Sequence, residues 1–508
     1  MGVLTRGQPL KVLLELRPAL DKHAGIPQQT RLLFRGLSLF DGLSVEGLIQ
    51  SSTHALRQGL PSKRTFGRSL PAHRKVDRLS RVVIMLEQRF IRSRFSIVSV
   101  LLRRLIGAPE NLSAFDATYF KDFVWRKLFA RSLPPSDFNT VTEARFRIAK
   151  SPWTAMHICR AVSKFVGLPV FPRLDTRDFA VMIAETPYPG NVSAGTRLVV
   201  HYHDAIPLLM PHTIADRQHH QAFHYHALHQ NVKSGAWFVC VSEATRRDLL
   251  SMFPEVESRS VVIHNIVSHD YFDEESSASR VRDIVGMRLN GKAYGTISGS
   301  IRSTISRDRV SDSPEYLLMV STIEPRKNHL GLLTAWERLR AERFPHLKLL
   351  LVGQLGWQHR VIVSKMRPWL ERGEMFCLAD VPGRELRLLY KHARATVCPS
   401  FAEGFDLSGV EAMASGGVVA ASDLPVHREV FADAAEYFNP YSVTSLAQAL
   451  AKVLDPAHGE FRHAMVCRGA IVSRLYTFDE IMPKWKDLFM RCVTDRKQDR
   501  AAQLIEKH

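Results

Sequence analysis

The sequence predicts an α/β protein built from two Rossmann-like domains that face each other across a cleft. Three observations predict this fold. The chain has 508 residues, which is too long for a single hydrophobic core. Apolar runs of strand length alternate with stretches of helical periodicity, as in parallel sheets covered by helices. The alternation is broken once, over 268–314, by a stretch rich in Ser, Arg, Gly and Asp that we interpret mostly as a linker or mobile excursion.

The first half of the chain predicts five buried strands and at least two helices. A helix is expected over 28–39, and Ser242 is expected to cap another helix directly after the fourth strand. Residues 51–177 are basic and punctuated by prolines, so we treat them as an insertion within a first domain spanning 1–310. The predicted strands are 10–16, 179–183, 197–201, 237–241 and 261–263.

The second half has a more regular pattern, which predicts a second Rossmann-like domain over 311–480. A helical tail over 481–508 is expected to return to the first domain. Two such domains leave a cleft between them, a favoured place for ligands. The predicted strands are 316–320, 348–352, 375–378, 395–398, 418–421 and 436–438, and the predicted helices are 330–343, 359–371, 384–392, 410–414 and 442–454.

Composition narrows the class of protein. Hydrophobic residues make up 45% and charged residues 23% of the chain, as in soluble globular proteins. The net charge of +19 favours an anionic partner: a nucleotide, a phospholipid surface or a nucleic acid. The six cysteines lack a C-x-x-C pair, which predicts reduced thiols rather than zinc ligands or disulfides. With no signal-peptide pattern and no long uncharged apolar window, we expect a cytoplasmic protein.

Two carboxylates bracket a turn between a predicted strand and a predicted helix. Glu403 precedes Gly404, and Glu411 follows within the first turns of the helix. Such turns, at the carboxyl end of a parallel strand, bind phosphates and sugars in α/β proteins. The alternative is structural: Ser408 and Glu411 have the spacing of a capping box, and Glu403 has the context of a solvated loop residue.

Two adjacent cations, Arg326 and Lys327, follow the first strand of the second domain. The planar guanidinium of Arg326, the ammonium of Lys327 and the main-chain amides of a helix capped by Asn328 together suit a diphosphate. An exposed basic turn is the alternative. Gly353, after the next strand, allows close approach of a ligand but is equally consistent with a plain turn. No D-x-D triplet occurs, so a carboxylate-held metal on the diphosphate is not indicated, and the cations would stabilise a leaving group unaided.

Histidines occur in two places. His201, His203 and Asp204 end a predicted strand, where a role in the cleft and a structural role are both open. A second group of histidines lies in a helical stretch, where His220 and His224, at i and i+4, have the spacing of two metal ligands on one helix face. Because no cysteine is near and carboxylates are scarce, we favour a surface helix rich in histidine for this group. Its members are His219, His220, His224, His226 and His229.

The basic insertion contains a stretch, 78–105, in which arginines and apolar side chains segregate to opposite sides of a helix. A basic amphipathic helix of this kind can lie on an anionic membrane surface. A helix whose apolar face covers the sheet has the same pattern, so both interpretations stay open.

Together these features resemble the family 4 retaining glycosyltransferases, which have the GT-B fold. The resemblance covers most of the chain, is strongest over 316–454 and weakest over 51–177. It is carried by Glu403 and Glu411 at the E-x7-E spacing and by Glu-Pro-Arg-Lys-Asn at 324–328. Further matches are Leu-Val-Gly at 351–353, Glu-Leu-Arg-Leu-Leu-Tyr at 385–390, Ser-Asp-Leu-Pro at 422–425, the His-Asp and Pro-Leu pairs within 203–208, and Val-Ser-Glu at 241–243.

The resemblance implies roles for individual residues. The diphosphate would be held by Arg326 and Lys327, the donor sugar touched by Glu403, and the ribose bound by Glu411, with His203 beside sugar and acceptor. The implied catalytic residues are His203, Glu403, Arg326 and Lys327. The implied donor-binding residues are Gly25, Arg326, Lys327, Gly353, Val381, Glu403, Asp406, Leu407 and Glu411. No metal and no cofactor are implied.

Two departures from the family pattern affect these roles. Asp-Leu-Ser at 406–408 replaces the common Gly-Leu-Pro, which puts an extra carboxylate near the expected phosphate. In the first loop, Gly-Ile-Pro-Gln-Gln at 25–29 replaces Gly-Ile-Gly-Arg-Tyr, which changes the expected acceptor contacts.

By resemblance, we expect a bacterial-type enzyme of lipopolysaccharide or other surface polysaccharide synthesis, with a mannose or rhamnose-like sugar donated from GDP. The expected partners are the nucleotide-sugar, a lipid-linked glycan acceptor and the anionic inner face of the cell membrane, where the protein would be peripheral. No nucleic acid is expected. One alternative is a basic nucleic-acid-binding α/β protein without transfer activity, but the sequence lacks RNA-binding signatures. Another alternative is an enzyme that makes a soluble disaccharide.

Overall fold

A computed structural model describes the backbone of residues 9–21, 25–53, 55–56, 71–87, 108–157, 171–214, 217–290 and 315–505. Two large, mostly parallel sheets with helices on both faces organise these residues, as the sequence predicts, and a small two-stranded sheet pairs Glu110–Asn111 with Leu174–Asp175. Among the described residues, no helix combines the length and the apolar character that crossing a membrane requires.

The first-domain sheet has eight strands, and its central strand, Leu10–Glu15, is buried on both faces. Val12 and Leu14 belong to one core cluster and Leu13 to the cluster on the opposite face. All neighbours are parallel except the last pair. The strand order is Ser260–Val262, Trp237–Cys240, Arg197–Tyr202, Val181–Ala184, Leu10–Glu15, Leu43–Ile49, Arg145–Ile148 and Ser113–Phe115.

The second-domain sheet has six strands, all parallel. Leu317 and Met319 pack on one face, whereas Tyr316 and Leu318 pack on the other. Four of these strands have the predicted bounds, because strands buried on both faces are continuous apolar runs. The order is Met375–Leu378, Lys348–Val352, Tyr316–Val320, Ala395–Cys398, Val419–Ser422 and Ala435–Phe438.

The helices connect successive strands and cover both sheets. In the first domain they are Arg17–Asp21, Ile26–Ser38, Ala72–Glu87, Lys121–Val124, Phe138–Thr142, Ile206–Leu209, Arg217–Lys233 and Glu243–Met252. The later helices are Ser279–Asn290, His329–Glu342, Arg360–Arg372, Gly383–His392, Leu407–Ala414, Pro425–Phe431, Val443–Leu454, Gly459–Arg474 and Phe478–Ile505. Ser242 caps Glu243–Met252 as predicted, since its hydroxyl accepts from the Thr245 amide at 3.0 Å.

The basic insertion contributes to the first-domain sheet, which the sequence did not predict. Strand Arg145–Ile148 pairs in parallel with Leu43–Ile49. Its Phe146 and Ile148 are buried, while Arg147 forms an ion pair of 2.5 Å with Glu46. The strand alternates arginine with a buried apolar residue over only four positions, the lower limit of a recognisable period-2 pattern.

Part of the expected linker is a helix of the second domain. Val281, Ile284 and Val285 of Ser279–Asn290 are buried in the same core cluster as Tyr316 and Leu318. The linker interpretation is therefore wrong for this helix. Residues 291–314, which include the expected domain boundary at 310, lie outside the described residues.

The amphipathic stretch predicted over 78–105 is described only over 78–87, within helix Ala72–Glu87; residues 88–105 lie outside the described ranges. Leu79 and Val82 are buried in the first-domain core. The apolar face of this helix is therefore covered by the domain itself, which is the alternative to a membrane-surface helix.

The last described helix, Phe478–Ile505, packs on the first domain although it follows the second in sequence. Ile481, Trp485 and Phe489 are buried in the first-domain core cluster. The helix lies so close to Ile26–Ser38 that a Cβ on Gly36 would sit 2.6 Å from the Met482 sulfur. The end of the chain thereby ties the two domains together.

Candidate active site

The candidate active site forms where two neighbouring strands of the second-domain sheet end. Arg326 and Lys327 lie on a 3₁₀ turn after Tyr316–Val320, and Glu403 lies in the loop after Ala395–Cys398. These strands pair in parallel, so their carboxyl ends share one edge. A main-chain hydrogen bond of 2.9 Å from Phe401 N to Arg326 O joins the two loops.

Glu403 is the centre of a buried ion-pair cluster. Its Oε2 lies 3.0 Å from Arg326 Nη1, and its Oε1 contacts the Lys327 ammonium. Arg326 also pairs with Glu324 at 3.0 Å. The Glu403 side chain is only 8% exposed, so its interpretation as a solvated loop residue is wrong. Burial acts to raise the pKa of Glu403, but Arg326 and Lys327 outweigh it and lower the pKa, which keeps the carboxylate ionised.

The helix that starts beside the two cations, His329–Glu342, presents its N-terminus to the same corner. Asn328 precedes it in the left-handed conformation (φ 59°), but its side chain does not cap the helix as predicted. Instead, the Asn328 amide donates to Pro440 O at 3.0 Å. The N-terminal amides are therefore not capped by Asn328, and with the two cations they form a corner suited to an anion.

Asp406, the extra carboxylate of the sequence, is paired within the second domain. Its Oδ1 accepts from Ser408 Oγ at 2.6 Å, and its Oδ2 lies 3.2 Å from His427 Nε2. The other ring nitrogen of His427 lies 2.8 Å from Ser422 O. The charge of Asp406 is thus balanced locally, and its pKa is lowered by His427 and Lys327 in spite of burial.

Glu411 joins the two domains. It is 5% exposed, and the alternative interpretation as a capping box with Ser408 is wrong because the Ser408 hydroxyl donates to Asp406. Glu411 Oε1 accepts from Gln28 Nε2 of the first domain at 2.8 Å, and Oε2 accepts from Tyr390 OH at 3.0 Å. Burial raises the pKa of Glu411 to about 7, although the hydrogen bonds from Gln28 and Tyr390 act to lower it.

This raised pKa predicts a pH-dependent stability. Between the unfolded pKa near 4.5 and the folded value of about 7, the folded state binds the extra proton, so rising pH destabilises it. We expect Glu411→Gln to lack this loss, which amounts to roughly 3 kcal/mol at most. Urea-unfolding midpoints at about pH 5 and about pH 8 measure it: the midpoint of the wild type relative to the variant should fall as pH rises. A constant difference would contradict the protonation of Glu411.

The four other predicted donor-binding residues lie on both domains. A Cβ on Gly353 would lie 1.9 Å from Ser321 O, so only glycine lets this loop pass the one that leads to Arg326. Val381 is buried beside the second-domain sheet, and Leu407 is the first residue of the helix that carries Glu411. Gly25 (φ 71°) precedes Ile26–Ser38, the helix that supplies Gln28.

The first domain meets the site through His203, which follows strand Arg197–Tyr202. A Cβ on Gly404 would lie 1.8 Å from His203 O, so the His203 main chain packs directly on the loop that carries Glu403. Nearby, Thr245 Oγ1 lies 3.3 Å from Gly404 O. The structure therefore brings His203, Glu403, Arg326 and Lys327 to one interface between the domains.

Sequence reasoning missed Glu185, a carboxylate beside His203. Its Oε2 lies 3.2 Å from His201 Nδ1 and 3.6 Å from His203 Nε2. Burial acts to raise the pKa of Glu185, but His201 and His203 outweigh it and lower the pKa to about 2. Burial lowers the pKa of His203. The available signal was its position two residues after the predicted strand 179–183, on the sheet edge that carries His203.

The histidine-rich stretch is a helix, Arg217–Lys233, as favoured from sequence. His219 and His220 are exposed on it, whereas burial lowers the pKa of His224 to about 4. Among the described residues, its side chains do not form a group of three potential metal ligands.

Comparison with known proteins identifies relatives of this chain. The family described as Glycosyl transferases group 1 matches residues 302–470. O-antigen chain mannosyltransferase B of Escherichia coli is 27% identical over 253 residues, 50% of this chain and 60% of that protein. Serotype-specific mannosyltransferase WbdA of Escherichia coli is 34% identical over 135 residues, 26% of this chain and 16% of that protein. The chain thus spans 60% or less of the length of these two relatives.

Solved structures give the fold. A sucrose-phosphate synthase from Thermosynechococcus elongatus superposes with a TM-score of 0.54 and 14% identity, over 96% of this chain and 100% of that one. HepE of Anabaena in complex with UDP gives a TM-score of 0.53 and 13% identity, over 95% and 100% of the two chains. Residues 302–470 match the group 1 glycosyltransferase family, the whole chain has the two-domain GT-B fold, and part of it is similar to mannosyltransferases of O-antigen synthesis.

Proposed function

We propose that the protein is a retaining hexosyltransferase that moves mannose, or a rhamnose-like sugar, from GDP to a lipid-linked glycan in surface polysaccharide synthesis. The observation that carries the proposal is the convergence of Arg326, Lys327 and Glu403 on one corner, with His203 of the first domain packed against it. The names of the related O-antigen mannosyltransferases support the sugar and the pathway class.

The donor diphosphate binds at the corner formed by the two cations and the N-terminus of His329–Glu342. Both cations already have carboxylate partners, so the incoming phosphates share Arg326 and Lys327 with Glu403. As the bond to the sugar breaks, negative charge builds up on the departing diphosphate, and preformed donors stabilise it without reorganisation. Two fixed cations provide this stabilisation with no cofactor and no metal ion on the phosphates.

The sugar and the nucleoside occupy the two sides of this corner. Glu403 touches the sugar next to the reacting carbon, and His203 lies beside the sugar and the acceptor. The ribose hydroxyls bind Glu411 in place of Gln28, and the base meets the main chain near Val381. The acceptor hydroxyl enters on the face that the diphosphate leaves, which retains the configuration.

The acceptor is lipid-linked, and the protein works in the cytoplasm, peripheral at the inner face of the cell membrane. The net charge of +19 supports attraction to an anionic lipid surface. Product that partitions into an organic lipid extract would support this acceptor. A water-soluble disaccharide product would contradict it.

The donor is tested by thermal unfolding with GDP, UDP, ADP and their sugars. We expect GDP-mannose to raise the unfolding temperature most, because at equal concentrations the ligand with the lowest Kd stabilises the fold most. A ligand at 100 times its Kd stabilises a protein by about 2.7 kcal/mol. Lys327→Ala is the control and should lose the shift. A larger shift with UDP-sugars would contradict GDP as the donor, and salt-sensitive RNA binding without any nucleotide shift would contradict the whole proposal. Retention is read from the anomeric NMR coupling of the product.

A further inference from the structure

The carboxyl edge of the first-domain sheet holds three converging side chains: Glu185, His201 and His203. Strands Val181–Ala184 and Arg197–Tyr202 pair in parallel, with Ala184 opposite Val200, which sets Glu185 beside the histidines. The side chains of Glu185, His201 and His203 are 0%, 4% and 10% exposed. The group is therefore fixed by two paired strands and shielded from bulk water.

The polar atoms of this group point at one another and are incompletely satisfied. One ligand atom from each side chain lies within 4.8 Å of the other two. Three buried atoms in the group have no hydrogen-bond partner: Glu185 Oε1, His201 Nε2 and His203 Nε2; of these, His203 Nε2 is the one that faces the shared centre, 3.6 Å from Glu185 Oε2. Buried polar atoms without partners require a water molecule or an ion to satisfy them.

We propose that Glu185, His201 and His203 bind a first-row divalent cation, with Zn²⁺ as the best fit. Two imidazole nitrogens and one carboxylate oxygen form a donor set that Zn²⁺ takes in sites with an open fourth position. Tetrahedral ligands at about 2.0–2.2 Å from zinc lie roughly 3.4 Å from one another. The Glu185 Oε2 distances of 3.2 Å to His201 Nδ1 and 3.6 Å to His203 Nε2 bracket that value.

The surroundings favour a cation over a water molecule. A fully buried carboxylate needs a counter-charge, the nearby Arg17 is paired with Glu15 at 2.6 Å, and a bound cation would supply this charge while both imidazoles bind it in the neutral form. The Glu185 amide donates to Glu15 Oε2 at 3.0 Å and holds the loop in place. The Trp485 ring lies edge-on to His201, with ring centroids 5.4 Å apart.

This cation lies on the first domain, whereas Arg326 and Lys327 hold the donor diphosphate on the second. The proposal thus goes beyond the proposed function and leaves the diphosphate site metal-free. The open coordination position of the cation would take water or a sugar hydroxyl, next to the point where His203 O packs on Gly404.

The test is a titration of the full, tag-free chain with Zn²⁺ alone, in the absence of any nucleotide, read by calorimetry and metal analysis. We expect about one equivalent to bind with a tetrahedral donor set. Glu185→Gln and His203→Gln should each weaken binding by more than the roughly 10–100-fold that loss of an outer partner costs. His220→Gln, an exposed histidine on the competing helix, is the matched control and should bind as the wild type does.

Three results would overturn the proposal: no Zn²⁺ bound to the wild type, which leaves a water molecule as the occupant; full binding to both site variants; or binding lost in His220→Gln. X-ray absorption of the Zn²⁺-loaded wild type needs no variant and must show two imidazoles and an oxygen as ligands. Because donor sugar is absent throughout, failure here is distinct from failure of the proposed transferase activity.

Discussion

Replacing Lys327 with Ala is expected to reduce turnover by roughly 10²–10³-fold, as loss of one preorganised oxyanion donor does in other enzymes. The ammonium contacts Glu403 and is only 15% exposed, so no bulk water replaces its charge. In the proposed reaction Lys327 stabilises the diphosphate most strongly when the sugar bond is broken. The loss should therefore fall on kcat rather than on KM alone. Steady-state rates with GDP-mannose measure it.

The variant should remain folded, because Glu403 keeps Arg326 as a partner at 3.0 Å. Circular dichroism and thermal unfolding check this. Lys365→Ala, on the exposed side of helix Arg360–Arg372, is the matched control and should turn over normally. Near-normal turnover of Lys327→Ala would remove the proposed role of this residue.

Gly404→Ala is expected to have the second largest effect, a loss of turnover of about 10²-fold, the cost of an error near 1 Å in the position of reacting groups. The added Cβ would lie 1.8 Å from His203 O and 3.2 Å from Asp204 Cβ. Neither neighbour is the end of a flexible side chain, so the loop that carries Glu403 has to move away from the first domain. Donor-sugar turnover and the unfolding temperature measure the two consequences.

Gly459→Ala is the control for this change of one methyl group. A Cβ at Gly459 meets no atom within 4 Å, and its φ of −58° is helical. We expect this variant to keep its activity and to gain a few tenths of a kcal/mol or more in stability, since Ala is the better helix former by roughly 1 kcal/mol. Equal behaviour of the two variants would contradict a tight contact at Gly404.

Much of the second domain could be predicted because each strand and helix there has a clear local signature. Lys348–Val352 is apolar after its first residue, since helices cover both faces of the sheet. The first domain was harder. Arg145–Ile148 is only four residues long, and its Arg147 is paired with Glu46, about one hundred residues away. A period-2 pattern of four residues is a weak local signal.

The candidate site, too, was predicted only in part. Arg326, Lys327 and Glu403 were located from sequence at strand ends and Glu411 in the helix that follows, and the structure brings the first three into contact. No feature of the sequence indicated that Glu411 would accept a hydrogen bond from Gln28, which is 383 residues away. Glu185 was missed because a single carboxylate after a strand carries no motif.

The sequence by itself determined the two α/β domains and the kinds of side chain at the ends of their strands, because apolar period and strand-end position are local properties of the chain. Only the tertiary structure decided which charges pair. Glu403 lies between two cations, Asp406 faces His427, and Glu411 is buried against the first domain. Burial and the nearest counter-charge set the protonation of a carboxylate, and both arise only when distant strands and domains pack together.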